Sequence, residues 1–87
     1  MPKVEKEVKI SNPQGLHARP AALFVQIASK FDSEVIVKKD GQSVNGKSIM
    51  GILMLAAECD STVTMEVQGH DAQRAAEELE GFLTKHE

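Results

Sequence analysis

Three sets of side chains invite chemistry by type and setting: His17 with Arg19, Ser48, and the group His70, His86 and Cys59. His17 lies between Gly15 and Arg19, just before a stretch with helical spacing. Free backbone N–H groups and the positive end of a helix dipole make such a position an anion site, and an arginine in the first turn adds charge-assisted donors. The same field penalises a cation, so the imidazole is expected to stay neutral. A neutral imidazole keeps a lone pair that can attack a phosphoryl donor, with the product oxygens placed where the N–H groups and Arg19 converge. By residue type alone, the pair also fits an exposed N-cap histidine beside a solvent-facing arginine.

Ser48 opens a second candidate. The run Ile49-Met50-Gly51-Ile52-Leu53-Met54-Leu55 is apolar on every side, yet a helix lying on one face of a small sheet buries only one stripe. With Ile52, Leu55 and Ala56 facing the core, Ile49, Met50 and Leu53 point outward, as on a surface serving several partners. The alternative is burial of both faces, in a deeper core or a homodimer. A phosphate on Ser48 would suit the helix start but would charge the edge of the patch, regulating docking more than folding.

The third group carries less. His70, His86 and Cys59 show no metal-ligand spacing, so they read as structural or solvated and no metal site is expected. Walker, dinucleotide and nucleophile-elbow motifs are missing, as are paired carboxylates, so neither a cofactor nor a self-contained catalytic pocket is expected.

The elements that must hold these residues follow from periodicity. Val4, Val8 and Ile10 alternate with charge and predict a strand, which Ser11 to Gly15 interrupts. Pro20, Leu23, Phe24, Ile27, Ala28 and Phe31 form a helical stripe, and Pro20 fits only the first turn, so this helix starts near His17 or Ala18. Glu34 to Lys39, the Asp40-Gly41 turn and Gln42 to Asn45 predict a hairpin. Ser48 is a candidate N-cap for a helix reaching about Ala57, Thr62 to Gln68 alternates as a strand, and Asp71 is a candidate N-cap for a last helix. That helix has the stripe Ala72, Ala75, Ala76, Leu79, Phe82 and Leu83. The order β-α-β-β-α-β-α makes residues 1–87 one α+β domain, a two-layer sandwich of four strands and three helices.

Composition narrows the partners. With 87 residues, three Phe and no Tyr or Trp, the core is aliphatic and thin, and stacking of single-stranded bases is close to excluded. The first 45 residues carry seven basic against five acidic side chains and the remainder three against eight, which disfavours nucleic acid. One cysteine, no leader-like segment and an apolar run far short of the ~20 residues that span a bilayer point to a cytoplasmic protein without membrane insertion.

Two motifs then carry a resemblance over essentially the whole chain, Val4 to Leu83. Gly15-Leu16-His17-Ala18-Arg19-Pro20-Ala21 resembles the active-site signature of HPr, the histidine-containing phosphocarriers of the bacterial phosphoenolpyruvate-dependent phosphotransferase system. Asn45-Gly46-Lys47-Ser48-Ile49-Met50-Gly51 resembles the family's regulatory-serine signature, at the family's separation. The resemblance implies an open-faced β-sandwich, a four-stranded antiparallel sheet covered on one side by three helices. It implies that His17 is phosphorylated on Nδ1 by enzyme I and passes the group to sugar-specific IIA domains. Arg19 would steady the phosphate and the N–H groups of Ala18 and Arg19 would cap it, while Leu16, Ala22, Ile49, Met50 and Leu53 would form the docking surface. Ser48 would be the target of an ATP-dependent HPr kinase/phosphorylase, and the serine-phosphorylated form would meet a transcriptional regulator. The expected state is a monomer.

Some members without the histidine act only as regulators, and His17 argues against that role here. Nitrogen-related carriers share the histidine motif, so the resemblance leaves both the carbohydrate and the nitrogen branch open, and the serine motif leans toward the type regulated at serine. One departure concerns the turn before the last strand, where the family often has Gly-Asp and this chain reads Cys59-Asp60-Ser61-Thr62.

Overall fold

Strands form where β-branched residues alternate with charge, and helices where alanine and leucine recur at three and four. A computed structural model describes residues 2–85, so His86 lies outside the described residues. Its elements run β1 (Lys3–Lys9), α1 (Ala18–Ser29), β2 (Glu34–Lys39), β3 (Gln42–Asn45), α2 (Ile49–Leu55), β4 (Thr62–Gln68) and α3 (Ala72–Leu83). The four strands make one antiparallel sheet in the order β1-β4-β2-β3.

Register sorts the side chains onto two faces. Val8 opposes Val63, and Val35 opposes Val67 beside the pair Val37 and Met65; all six are buried beneath the helices. One residue along each strand, the other face carries Glu66 with Lys3 at 3.7 Å and Lys38 bonded to the same carboxylate. The helices close the first face with Phe24 of α1, Ile52 and Leu55 of α2, and Leu79 and Leu83 of α3, all buried. Each such side chain contributes roughly 1.5–3 kcal/mol on burial. The Phe24 and Phe82 rings meet at 6.5 Å and 57°, fixing α1 against α3. Among the described residues no helix is long and apolar enough to cross a membrane.

The layered α+β sandwich therefore follows the expected element order, and three details differ. The second helix stops at Leu55 rather than near Ala57, because Ala56 takes the left-handed conformation with φ +54 and its N–H bonds the Leu53 carbonyl. Ala56 is consequently exposed and does not face the core, whereas Ala57 beyond the turn is buried. Asp71 takes the N-cap position of α3 as expected, but its side chain makes no capping bond. Its carboxylate instead accepts from the Asp32 N–H at 2.9 Å, the Ser33 N–H at 3.0 Å and the Ser33 hydroxyl. In the divergent turn, Asp60 adopts φ +74, a conformation aspartate tolerates better than most side chains.

Candidate functional site

The loop before α1 is built by backbone bonds. The Asn12 side chain accepts from the Gln14 N–H and its carbonyl from the Gly15 N–H, each at 3.0 Å. Gly15 then turns with φ +64, and a Cβ there would stand 2.7 Å from the Ala57 carbonyl oxygen. The Leu16 N–H donates to that same carbonyl at 2.7 Å, so the loop is fastened to the chain just past α2.

His17 follows as the N-cap of α1, in extended conformation and with its side chain exposed. Its imidazole makes no capping bond, and no described side chain holds the ring. Ala18 has φ +32, a sparsely populated region for an L-residue that costs about 1–3 kcal/mol. The first bond of the helix runs from the Ala21 N–H to the His17 carbonyl at 3.2 Å. Pro20 has no N–H, and the N–H groups of Ala18 and Arg19 donate to no described residue. The first turn carries no acidic side chain. The result is an exposed imidazole at a helix start with two undonated amides and an arginine in the first turn, a setting that favours negative charge.

Arg19 also lines a depression of ≈ 320 Å³ with Asn12, Leu23, Phe82 and Lys85. Lys85 and Asn12 carry no sequence signal that would join them to Arg19, since the site draws on three separate segments.

Ser48 caps α2 as expected: its hydroxyl oxygen accepts from the Gly51 N–H at 3.1 Å, and its carbonyl from Ile52. Ser48→Ala should therefore destabilise the protein by about 1 kcal/mol in urea denaturation, whereas Ser48→Asp, which keeps an acceptor, should lose less. Lys47 donates to the Phe31 carbonyl at 2.7 Å, tying the approach to Ser48 to the end of α1.

The α2 surface is apolar and open. Ile49, Leu53 and especially Met50, 65% exposed, point outward, joined by Met54 at 70%. Met54 lies four residues beyond Met50, so helical spacing alone places it on this stripe. Ala22 is half-buried on α1. Leu16 is a correction: its side chain is 0% exposed and belongs to the core, because the bond to Ala57 turns it inward, so it presents no docking surface.

His70 and Cys59 lie apart from His17 in their bonding. Cys59 is a half-buried free thiol. The His70 ring is exposed, with Nε2 2.9 Å from an Asp32 carboxylate oxygen. Together with Asp71 these groups offer ligand atoms within 4.8 Å of one another, a grouping that sequence spacing did not suggest.

This cluster gives the fold a pH signature. The Ser33 hydroxyl and then the Asp32 N–H hold the Asp71 carboxyl down to about 2, against an ordinary value near 3.8. Its stabilising contribution is present above about pH 4 and is lost as pH falls toward 2. His70 is raised, by its bond to Asp32 and then by the charge of Asp71. Its contribution is fully present below about pH 6.5 and fades as pH rises through the raised value. Melting curves of His70→Gln should therefore fall below wild type at about pH 5.5 and coincide with it at about pH 9.

Comparison with known proteins places this geometry. The family model described as the PTS HPr component phosphorylation site matches residues 4–85. The chain is 51% identical over 82 residues to the HPr-like protein Crh of Halalkalibacterium halodurans, covering 94% of this chain and 98% of that one. The crystal structure of a phosphocarrier protein HPr from Bacillus anthracis superposes with a TM-score of 0.91 at 47% identity, over 93% of this chain and 96% of the other. Crh of Bacillus subtilis, described as a swapped-domain dimer, gives 0.77 at 46% identity over 95% of each chain. A family match over nearly every residue, joined to a relative this similar along almost its whole length, means that the chain belongs to the HPr family of phosphocarrier proteins.

Proposed function

We propose that His17 accepts a phosphoryl group on Nδ1 from phospho-enzyme I and passes it to IIA domains for sugar uptake. The Nδ1 lone pair attacks phosphorus as the bond to the donor breaks, and a partner nucleophile later takes the group in the reverse sense. The observation that carries this reading is the exposed, unheld imidazole beside the undonated N–H groups of Ala18 and Arg19. Those amides and the Arg19 guanidinium receive the phosphate oxygens, so the chain supplies position and charge while each larger partner completes the chemistry. Incubation with phosphoenolpyruvate and enzyme I should give an acid-labile, base-stable adduct that maps to His17. An adduct at another residue sinks the assignment.

Ile49, Met50, Leu53 and Ala22 form the docking surface in this reading, and Ser48 is the regulatory site for an HPr kinase/phosphorylase. Negative charge beside the patch opposes docking. Ser48→Asp should weaken binding to enzyme I about tenfold, and equal affinity by calorimetry would show that charge there does not control docking.

The similarity to Crh, whose solved B. subtilis relative is described as a catabolite repression protein, supports a second role as a co-regulator of a transcription factor through the same patch. A regulator alone needs no nucleophile at the start of α1, so His17 favours carriage as the first role. The regulatory-serine motif favours the carbohydrate branch over the nitrogen-related one. The chain acts in the cytoplasm as a monomer in this reading, and sedimentation at 9.5 kDa, not twice that mass, is expected.

A further inference from the structure

We propose that the depression between the start of α1 and the end of α3 binds a small amphiphilic anion, a carboxylate or phosphate monoester bearing an apolar ring or chain. Most basic side chains of the protein are already engaged. Lys3, Lys6, Lys30, Lys38 and Lys39 pair with carboxylates, and Lys47 donates to a carbonyl. Lys9, Arg19, Arg74 and Lys85 have no carboxylate partner among the described residues, and of these four Arg19 and Lys85 line this one depression. No described acidic residue lines it. Its ≈ 320 Å³ lies within the range of about 300–1,000 Å³ typical of small-molecule sites.

The lining has two characters. Leu23, 40% exposed on α1, and Phe82 on α3 supply an apolar wall, with Pro20 beneath Arg19 in the first turn. On the polar side, the Asn12 oxygen is occupied by the Gln14 N–H, which orients the amide nitrogen of Asn12 as a further donor. An inorganic ion would leave the wall unused and a neutral apolar molecule would leave two cations unpaired. A molecule carrying both features matches both sides.

The field favours an anion as well. Arg19 and Pro20 of the first turn of α1 line the depression, so the positive end of that helix lies near it, whereas the carbonyls at the end of α3, which would repel negative charge, are engaged. Glu80 accepts from the Thr84 N–H and hydroxyl, Phe82 from the Lys85 N–H, and Leu83 from the N–H groups of Ser11 and Asn12. Those last two bonds also fix the Asn12 loop to α3, and the Phe24–Phe82 contact fixes α3 to α1, so the walls exist before a ligand arrives. Occupancy would engage Arg19 and slow phosphoryl acceptance at His17. That consequence rests on the carrier reading, whereas binding itself does not.

The test is an amide-shift NMR titration at constant ionic strength with phenyl phosphate, benzoate, benzyl alcohol and inorganic phosphate. Both aromatic anions should give saturable shifts at Asn12, Leu23, Phe82 and Lys85, with Kd on the order of a few millimolar for ligands of this size. Lys85→Glu should weaken both by at least about tenfold, and Leu23→Gln by about threefold, each variant keeping a dispersed spectrum. Benzyl alcohol and inorganic phosphate should each bind at least about tenfold more weakly than phenyl phosphate. The proposal is overturned by shifts that do not saturate below about 50 mM, by shifts centred elsewhere, or by an unchanged Kd in Lys85→Glu. Equal binding of benzyl alcohol would remove the anion requirement, and equal binding of inorganic phosphate the apolar one; either result overturns it too.

Discussion

His17→Ala is expected to leave the protein folded and to abolish its labelling by phosphoenolpyruvate and enzyme I, a fall of at least about 10³-fold. The two halves of that result have separate causes. The imidazole is exposed and holds no capping bond, so its removal should change the unfolding free energy by no more than about 0.5 kcal/mol. In the carrier reading proposed above, labelling depends on a lone pair at that place, and alanine has none. The other described histidine, His70, is not a substitute: it is bonded to Asp32 and does not stand at a helix start with undonated amides. Undiminished label on His17→Ala, measured by intact mass after brief incubation, would transfer the acceptor role elsewhere.

Gly15→Ala is expected to damage both stability and transfer, although residue 15 touches no reacting atom. A Cβ at φ +64 costs about 1–2 kcal/mol by itself. It would also meet the Ala57 carbonyl oxygen at 2.7 Å and the Glu58 Cα at 2.9 Å, both backbone atoms that must move. A total loss of about 2–3 kcal/mol should lower the melting temperature by roughly 10–20 °C in a domain of this size. The forced shift displaces the Leu16 bond and with it the orientation of His17, and a misplacement near 1 Å can reduce rate by about 10²-fold. Gly41→Ala is the matched control, since φ is +83 there and an added Cβ meets nothing. It should lose about 1–2 kcal/mol and keep the wild-type labelling rate. If Gly15→Ala is labelled as fast as that control, backbone placement of the loop does not set the reactivity of His17.

The strands β2, β3 and β4 were legible to the residue, because alternation reports burial directly and Asp40-Gly41 marks the turn between the first two. The start of α1 was legible for a different reason: Pro20 is compatible with only the first turn. The end of α2 was not, because an apolar run carries no stop signal and Ala56 takes a conformation usually given to glycine. The N-cap position of Asp71 was legible too, but not the use of its carboxylate, because its partner Ser33 is 38 residues away and a local capping rule has no knowledge of a distant competitor. The identities of His17 and Ser48 as candidates came from type and spacing, yet the inward turn of Leu16 depends on a loop path without periodicity. The depression at Arg19 lay beyond sequence reading for the same reason, since Asn12, Arg19 and Lys85 meet only in three dimensions.

The bond from Leu16 to Ala57 has a consequence for how the protein is made. His17 leaves the ribosome before Ala57, the residue forty positions later to which its loop is fastened. Among the described residues β1, immediately before the loop, pairs within the sheet only with β4, which emerges later still. A nascent chain that has released His17 therefore lacks the partner strand and the carbonyl that shape its surroundings. Phosphoryl acceptance would then be confined to finished molecules, and incomplete chains would draw nothing from the donor.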